Sequence, residues 1–174
     1  MASVAIVLGS VRPGRAGEQV VRWIEDQARQ VEGVQTVLFD LRDYNLPFFA
    51  EEMSPSMKAP ELAEAVRLRE NLEASDAVLF VTPEYNHSVP AALKNAIDYL
   101  PPATLKEKAV GLVGYSWHGA VKPLEHLREI VSAFGAAIRD QEVGINLGSD
   151  FQDGTFTPSA ELNGQIRGLL ASLA

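Results

Sequence analysis

The sequence predicts an α/β fold in which a parallel sheet is covered by helices on both faces. Short apolar runs alternate along the chain with segments whose apolar residues recur every three or four positions. The runs at Val4–Leu8, Ala77–Val81 and Ala109–Val113 are almost wholly apolar, which is typical of strands buried on both faces. With 174 residues, of which 47% are hydrophobic, the chain can build a full core, and we expect one domain spanning residues 1–174.

Five strands are predicted. They are Val4–Leu8, Thr36–Phe39, Ala77–Val81, Ala109–Val113 and, with a weaker pattern, Ala136–Val143. Regular alternation of strands and helices implies right-handed crossovers between parallel strands. Five such strands favour the flavodoxin-like order 2-1-3-4-5, a three-layer sandwich with helices on both faces.

Five apolar stripes predict the helices between these strands. The stripes are Val20, Val21, Ile24, Ala28 and Val31; Leu62, Ala65, Val66, Arg69 and Leu72, where Arg69 interrupts the pattern; Leu93, Ile97 and Leu100; Leu124, Leu127, Val131 and Phe134; and Leu162, Ile166, Leu169 and Leu173. The connection from Leu41 to Pro60 is unusually long and carries Phe48 and Phe49. It is either an ordinary irregular crossover or a segment whose aromatic residues cover a ligand or a partner subunit.

Charge and composition exclude several classes of function. The net charge is −8 and no basic run breaks the acidic background, so nucleic acid and anionic membranes are poor partners. There is no cysteine, which excludes disulfides, thiolate nucleophiles and cysteine-based metal sites. No apolar run approaches the roughly 18 residues of a membrane span, and the first residues resemble no targeting signal, so we expect a cytoplasmic protein.

A glycine-rich loop, Gly9–Gly17 (GSVRPGRAG), follows the first predicted strand and leads into the first helix. In open parallel sheets, ligands bind beyond the carboxyl ends of the strands where the strand order reverses, here between the first and third strands. Backbone N–H groups at the start of a helix can hold a phosphate. Ser10 adds a hydroxyl, and Arg12 and Arg15 add positive charge. The loop therefore predicts an anion site.

Three familiar phosphate motifs do not fit this loop. Gly9 and Gly14 have the spacing of a Walker A loop, but Arg15 and Ala16 replace its lysine and its hydroxyl residue. Thr82–Pro83 follows the third strand where a metal-binding aspartate would be needed. The dinucleotide motif G-x-G-x-x-G and the acidic residues of a phosphoacceptor domain are absent. A single terminal phosphate on a larger ligand remains.

Two further loops are predicted at the same edge of the sheet. The segment Thr82–Leu100 (TPEYNHSVPAALKNAIDYL) is polar before Pro90, which suits the start of a helix. Its backbone N–H groups could face a planar polar ring, while His87 is either a surface residue or a ligand contact. The segment Tyr115–Ala120 (YSWHGA) follows the fourth strand and could line the far side of a flat aromatic ligand. His118 within it is either structural or functional.

The segments GSVRPGRAG and PEYNHSVPAALKNAIDYL resemble the NADPH-dependent FMN reductases, a family that includes related quinone and azo-compound reductases. The resemblance implies that FMN is the cofactor and that NADPH or NADH is the co-substrate. It also implies three groups of binding residues: Ser10, Arg12, Arg15, Ala16 and Gly17 for the phosphate; Pro83, Glu84, Tyr85 and Asn86, through their backbone, for the isoalloxazine; and Ser116, Trp117, His118 and Gly119 for its other side. Two positions depart from the family pattern, because Ser or Thr is common at Arg15 and Gly at Trp117.

The resemblance implies an NAD(P)H oxidoreductase that reduces a small acceptor: a quinone, free flavin, an azo compound or a metal oxyanion. We expect ping-pong hydride transfer through bound FMN, no catalytic side chain and no metal, because the cofactor carries the chemistry. Family members form homodimers or homotetramers, so we expect self-association. The alternatives are an electron carrier of the flavodoxin type and a flavin-dependent redox sensor that docks on a protein partner.

Overall fold

A computed structural model describes residues 1–174, and its central feature is a parallel sheet of six strands. The strands are β1 (Ala2–Leu8), β2 (Val34–Asp40), β3 (Ala77–Pro83), β4 (Ala109–Ser116), β5 (Ala137–Ile138) and β6 (Val143–Asn146). Their spatial order is β2-β1-β3-β4-β5, and β6 also pairs with β4. The predicted flavodoxin-like order is therefore confirmed.

Helices cover both faces of the sheet. They are α1 (Gly17–Ala28), α2 (Ala63–Glu73), α3 (Ala91–Asp98), α4 (Val121–Ser132) and α5 (Ala160–Ser172). Side chains of β1 alternate between two cores, so that Val4 and Ile6 face α1 and α5 while Ala5 and Val7 face the other three helices. No helix has both the length and the hydropathy needed to cross a membrane.

The stripe predicted for α2 needs correction. Its buried side chains are Ala65, Leu68 and Leu72, whereas Val66 and Arg69 are only partly buried. Leu68 completes the i, i+3, i+4 spacing that places these residues on one face of a helix. The other predicted stripes lie on buried faces, with Val31 and Phe134 at their edges.

The fifth strand is split, which the sequence prediction of one strand over Ala136–Val143 did not anticipate. β5 pairs with the beginning of β4, and β6 pairs with its last four residues. Between them, Arg128 of α4 donates to the Arg139 carbonyl at 2.7 Å and to Glu142 Oε1 at 2.6 Å. A short antiparallel hairpin, β7 (Phe151–Gln152) and β8 (Thr155–Phe156), follows and was not predicted.

The long connection after β2 packs against α3. Asn95 accepts from the Phe49 amide and donates to the Pro47 carbonyl, each at 2.8 Å. The Phe49 ring meets Tyr99 edge to face, with ring centroids 5.1 Å apart. Phe48, by contrast, is 81% exposed. Neither phenylalanine lines the large cavity described next, so within this chain they do not cover it.

Candidate functional site

A cavity of about 540 Å³ opens at the carboxyl edge of the sheet, where β1, β3, β4 and β6 end. Its volume lies within the range of about 300–1,000 Å³ typical of cofactor sites. Four loops line it: Arg12, Pro13, Gly14, Arg15 and Ala16 after β1; Pro83, Glu84, Tyr85, Asn86 and His87 at β3; Tyr115, Ser116, Trp117 and His118 at β4; and Leu147 after β6.

Most residues of the predicted site meet in this one cavity, but three do not line it. Ser10 is wholly buried behind the cavity wall, and Gly17 is the buried first residue of α1. Gly119 packs its backbone against Gly144 of β6. The lining residues that were not among the predicted ones are Pro13, Gly14, His87, Tyr115 and Leu147. The signal that could have identified the loop of Leu147 is its position directly after the last strand, because all parallel strands end at the same edge of the sheet.

The two arginines of the loop after β1 have different environments. The Arg12 guanidinium lies over the Tyr85 ring, 5.5 Å from its centroid, and forms no ion pair. Arg15 lies with only 3% of its side chain exposed and donates to both carboxylate oxygens of Asp40, at the end of β2, and to the Ser10 carbonyl. The charge of Arg12 is therefore available to a ligand, whereas that of Arg15 is engaged.

The pair between Arg15 and Asp40 is the centre of a small ionic network. Glu18 approaches Arg15 Nε at 3.4 Å and Arg42 at 3.3 Å. Burial acts to raise the pKa of Asp40, but the hydrogen bond from Arg15 and the backbone amide of Arg42 outweigh it and hold this pKa below its ordinary value. Asp40 is thus a carboxylate at neutral pH and ties the loop after β1 to β2.

The amino end of α1 points into this loop without a cap of its own. Its N-cap residue, Ala16, has no capping side chain, so the first N–H groups of the helix have no side-chain acceptor there. Nearby, Ser10 Oγ and Tyr85 Oη are hydrogen-bonded at 2.7 Å, which joins the loop after β1 to the loop after β3. Uncapped N–H groups beside an uncommitted guanidinium make an anion site.

A tight turn follows β3. Tyr85 and Ser88 exchange backbone hydrogen bonds of 2.9 and 3.1 Å, and the two residues between them, Asn86 and His87, both have positive φ. Left-handed residues other than glycine cost about 1–3 kcal/mol each and persist only where the surrounding structure holds them. Ser88 Oγ is bonded to His126 Nδ1 of α4 at 3.0 Å, which fixes the turn.

The loop after β4 is held by its own serine. Ser116 Oγ accepts from the amides of His118 at 3.0 Å and Ala120 at 2.8 Å. Ala120 is fully buried in the left-handed region, so this loop, too, has an enforced shape. Trp117 is 67% exposed, with its indole next to Gly148 of the loop after β6. The Leu147 amide donates to the Ser116 carbonyl at 2.8 Å, which joins these two loops.

The cavity lining contains two chemically different sets of groups, as FMN requires. Arg12 and the amino end of α1 suit a phosphate. The constrained backbone turns, together with the side chains of Trp117 and Leu147, suit a flat ring with polar edges. No cluster of three or more possible metal ligands is present. The residues present therefore fit the cofactor that the sequence resemblance implies.

Comparison with known proteins agrees with this geometry. Residues 2–150 match the family described as NADPH-dependent FMN reductase. The chain is 32% identical over 135 residues to an NAD(P)H-dependent FMN reductase of Nectria, covering 74% of this chain and 67% of that protein. It is 42% identical over 97 residues to a quinone reductase of Pseudomonas putida, covering 55% of this chain and only 48% of that enzyme.

The fold likewise matches a solved flavoenzyme. The structure superimposes on an NAD(P)H:(acceptor) oxidoreductase of Paracoccus denitrificans with a TM-score of 0.77 at 26% identity, covering 99% of this chain and 97% of that one. The family match spans most of the chain and includes the loops that line the cavity. The chain therefore belongs to the NADPH-dependent FMN reductase family, which confirms the predicted class of oxidoreductase and the predicted cofactors, FMN with NAD(P)H.

Proposed function

We propose that this protein holds FMN in the cavity at the carboxyl edge of the sheet and reduces a small acceptor with NADPH or NADH. The observation that carries the proposal is the uncommitted guanidinium of Arg12 beside the uncapped amino end of α1. A terminal phosphate bound there would direct the rest of the cofactor along the cavity, towards the turns after β3 and β4. We further propose that residues 1–174 act as one FMN-binding domain.

Each predicted residue has a proposed role consistent with its environment. Ser10, Arg12, Ala16 and Gly17 bind the phosphate by a hydroxyl group, by charge and by backbone N–H groups, while Arg15 shapes their loop through Asp40. The backbone of Pro83, Glu84, Tyr85 and Asn86 holds one side of the ring, and Ser116, Trp117, His118 and Gly119 close the other. When bound, FMN supplies hydride acceptance and onward electron transfer; the chain positions it and needs no catalytic side chain.

A first experiment tests cofactor and activity together. The purified protein, reconstituted with a mixture of FMN and FAD, should retain FMN, because the cavity has one phosphate site and no second nucleotide motif. Heat release and chromatography identify the flavin. The loaded protein should then oxidise NADPH or NADH steadily when a quinone is supplied. Retention of FAD would contradict the cofactor assignment, and a lack of turnover would favour an electron carrier.

Replacing Arg12 with alanine should weaken FMN binding by about 1.5–3 kcal/mol, the value of a hydrogen bond to a charged group. That loss corresponds to roughly 10- to 150-fold in dissociation constant. Titration of apo-protein with FMN, followed by flavin fluorescence, measures it. Arg29→Ala is the control, because Arg29 lies at the carboxyl end of α1 and pairs only with Asp26 on the surface. Unchanged affinity in Arg12→Ala would remove Arg12 from the phosphate site.

Hydride donor and acceptor are proposed to occupy the same open part of the cavity in turn. Four loops enclose the cavity from the sheet edge, and the exposed Trp117 and His118 lie at its rim. Varying NADPH and a quinone together should therefore give parallel double-reciprocal lines. Trp117→Gly should change the preference among acceptors more than the affinity for FMN. Converging lines, with a complex containing both substrates, would indicate two separate sites.

Self-association and location stay predictions. Phe48 and Met57 of the long connection are 81% and 77% exposed, and apolar side chains exposed in this way often mark an interface. We propose that a second copy of the chain, in a dimer or tetramer, covers them.

A cytoplasmic location is proposed because NAD(P)H, the expected co-substrate, is available there.

A further inference from the structure

Three hydroxyl groups meet beneath the amino end of α1. Ser10 Oγ is hydrogen-bonded to Tyr85 Oη at 2.7 Å, and the Ser10 side chain and the Gly17 backbone are among the groups beside the Tyr115 hydroxyl. Tyr85 is partly exposed and lines the cavity, so it reaches Ser10 from the cavity side. Tyr115 also borders the cavity, but its hydroxyl oxygen is fully buried and lies against Gly17 at the start of α1, so it adjoins Ser10 on the side of the helix.

The Tyr115 hydroxyl is the unusual member of this cluster. Its oxygen is fully buried, yet no group meets hydrogen-bond geometry with it. A buried hydroxyl without a partner costs about 1–3 kcal/mol, so such groups are rare unless they serve a function. The hydroxyl also requires glycine at position 17, because a methyl group there would lie 2.5 Å from this oxygen.

We propose that Tyr115 is a positioning residue of the phosphate site: when a phosphate is bound, its hydroxyl donates to Ser10 Oγ and thereby directs the single hydroxyl proton of Ser10 towards the phosphate. This inference rests on the proposed binding of the FMN phosphate by the loop after β1.

The argument follows from the hydrogen-bonding capacity of serine. Ser10 Oγ has one proton to donate and two lone pairs. A donor on the core side, Tyr115, occupies a lone pair and leaves the proton for the cavity side. In this structure the partner of Ser10 Oγ on the cavity side is Tyr85 Oη, at 2.7 Å. The Arg12 amide is 3.4 Å from Ser10 Oγ, too long to be a strong competitor.

The protonation state of Tyr115 agrees with a donor role. Burial, and secondarily the neighbouring Tyr85, raise the pKa of the Tyr115 hydroxyl well above its ordinary value, despite opposing contributions from Ser10 and Arg15. The hydroxyl is therefore protonated at neutral pH and can donate a hydrogen bond.

The test compares FMN with riboflavin, which lacks the phosphate. Tyr115→Phe should weaken the binding of FMN to apo-protein about tenfold, the effect of one hydrogen bond to a charged group, and leave riboflavin binding unchanged. Tyr44→Phe is the matched control, since it removes another buried tyrosine hydroxyl, one that is bonded to Asn71 and does not line the cavity. It should leave the binding of both flavins unchanged.

Two further measurements complete the test: the stability of the Tyr115→Phe apo-protein, and the effect of Tyr115→Phe in a Ser10→Ala background. Tyr115→Phe keeps the ring and removes an unsatisfied buried hydroxyl, so the apo-protein should unfold at the same or a higher urea concentration. In a Ser10→Ala background, Tyr115→Phe should have no further effect on FMN. Equal loss of FMN and riboflavin binding, or a loss that persists without Ser10, would overturn the inference. Equal wild-type affinity for the two flavins would instead contradict the phosphate site itself.

Discussion

Replacing Arg15 with methionine should lower the free energy of unfolding of the apo-protein by about 3 kcal/mol. Breaking a buried ion pair leaves an uncompensated charge and typically costs about 3–5 kcal/mol; the lower end applies because Asp40 is 17% exposed. The variant also loses the bond from Arg15 to the Ser10 carbonyl, which holds the loop after β1 closed. Urea unfolding of both proteins without flavin measures the difference.

The pH dependence of this loss identifies the ion pair as its source. The pKa of Asp40 lies below its ordinary value in the folded protein. The pair therefore contributes full stability above the unfolded-state pKa of an aspartate, about 3.9, and loses it as the pH falls through the lower folded-state pKa. The gap between wild type and Arg15→Met should be widest above about pH 5 and should narrow below about pH 4.

The double variant Arg15→Met, Asp40→Leu is the control. It removes both charges, so it should recover most of the lost stability. If Arg15 instead serves mainly as a phosphate ligand, the single variant should keep the stability of the apo-protein and lose only FMN affinity. That outcome would contradict the anchoring role described for Arg15.

The two arginines show what the sequence could predict about the site. Their place in a glycine-rich loop after the first strand predicted an anion site, which needs only local pattern and the rule for parallel sheets. Which arginine is free could not be predicted. Asp40 is 25 residues beyond Arg15 and approaches it because β1 pairs with β2 so that Leu8 lies beside Asp40. An ion pair that forms because two strands lie side by side leaves no pattern in the sequence around either residue.

The fold, too, has features that the sequence could predict and features that it could not. Strands buried on both faces were predictable because their apolar runs are continuous, as in Ala77–Val81. The break in the fifth strand was not, because it depends on Arg128 of α4, which bonds the Arg139 carbonyl and Glu142 between β5 and β6. Tyr115 is a similar case. The sequence pattern predicts that it lies in the loop after the fourth strand, and only the tertiary structure places it in β4 with a buried hydroxyl that has no partner.

Replacing Gly144 with alanine should displace the loop after β4 and weaken FMN binding by at least tenfold. A methyl group at Gly144 would overlap the carbonyl oxygen of Gly119, a backbone atom that cannot rotate away. Gly144 pairs across the sheet with Gly114, where an added methyl group would lie 2.6 Å from the Ala120 Cβ. The loop thus crosses β4 and β6 at a place where only glycine leaves enough room.

The added methyl group also costs stability, but less than its overlap suggests. Overpacking costs about 1–3 kcal/mol, and the loop carrying Trp117 and His118 is exposed, so it can move outwards. That movement relieves the strain and takes both residues away from the cavity, which is why we expect a larger effect on FMN affinity than on unfolding. Titration with FMN and urea unfolding of the same preparation separate the two quantities.

Gly164 in α5 provides a matched glycine-to-alanine control. A methyl group there would have no atom within 4 Å, and alanine favours a helix over glycine by up to about 1 kcal/mol. Gly164→Ala should therefore stabilise the protein slightly and leave FMN binding unchanged. If Gly144→Ala also kept wild-type affinity for FMN, the loop after β4 would not need its present position. The proposed contacts of Ser116, Trp117, His118 and Gly119 with the ring would then have to be abandoned.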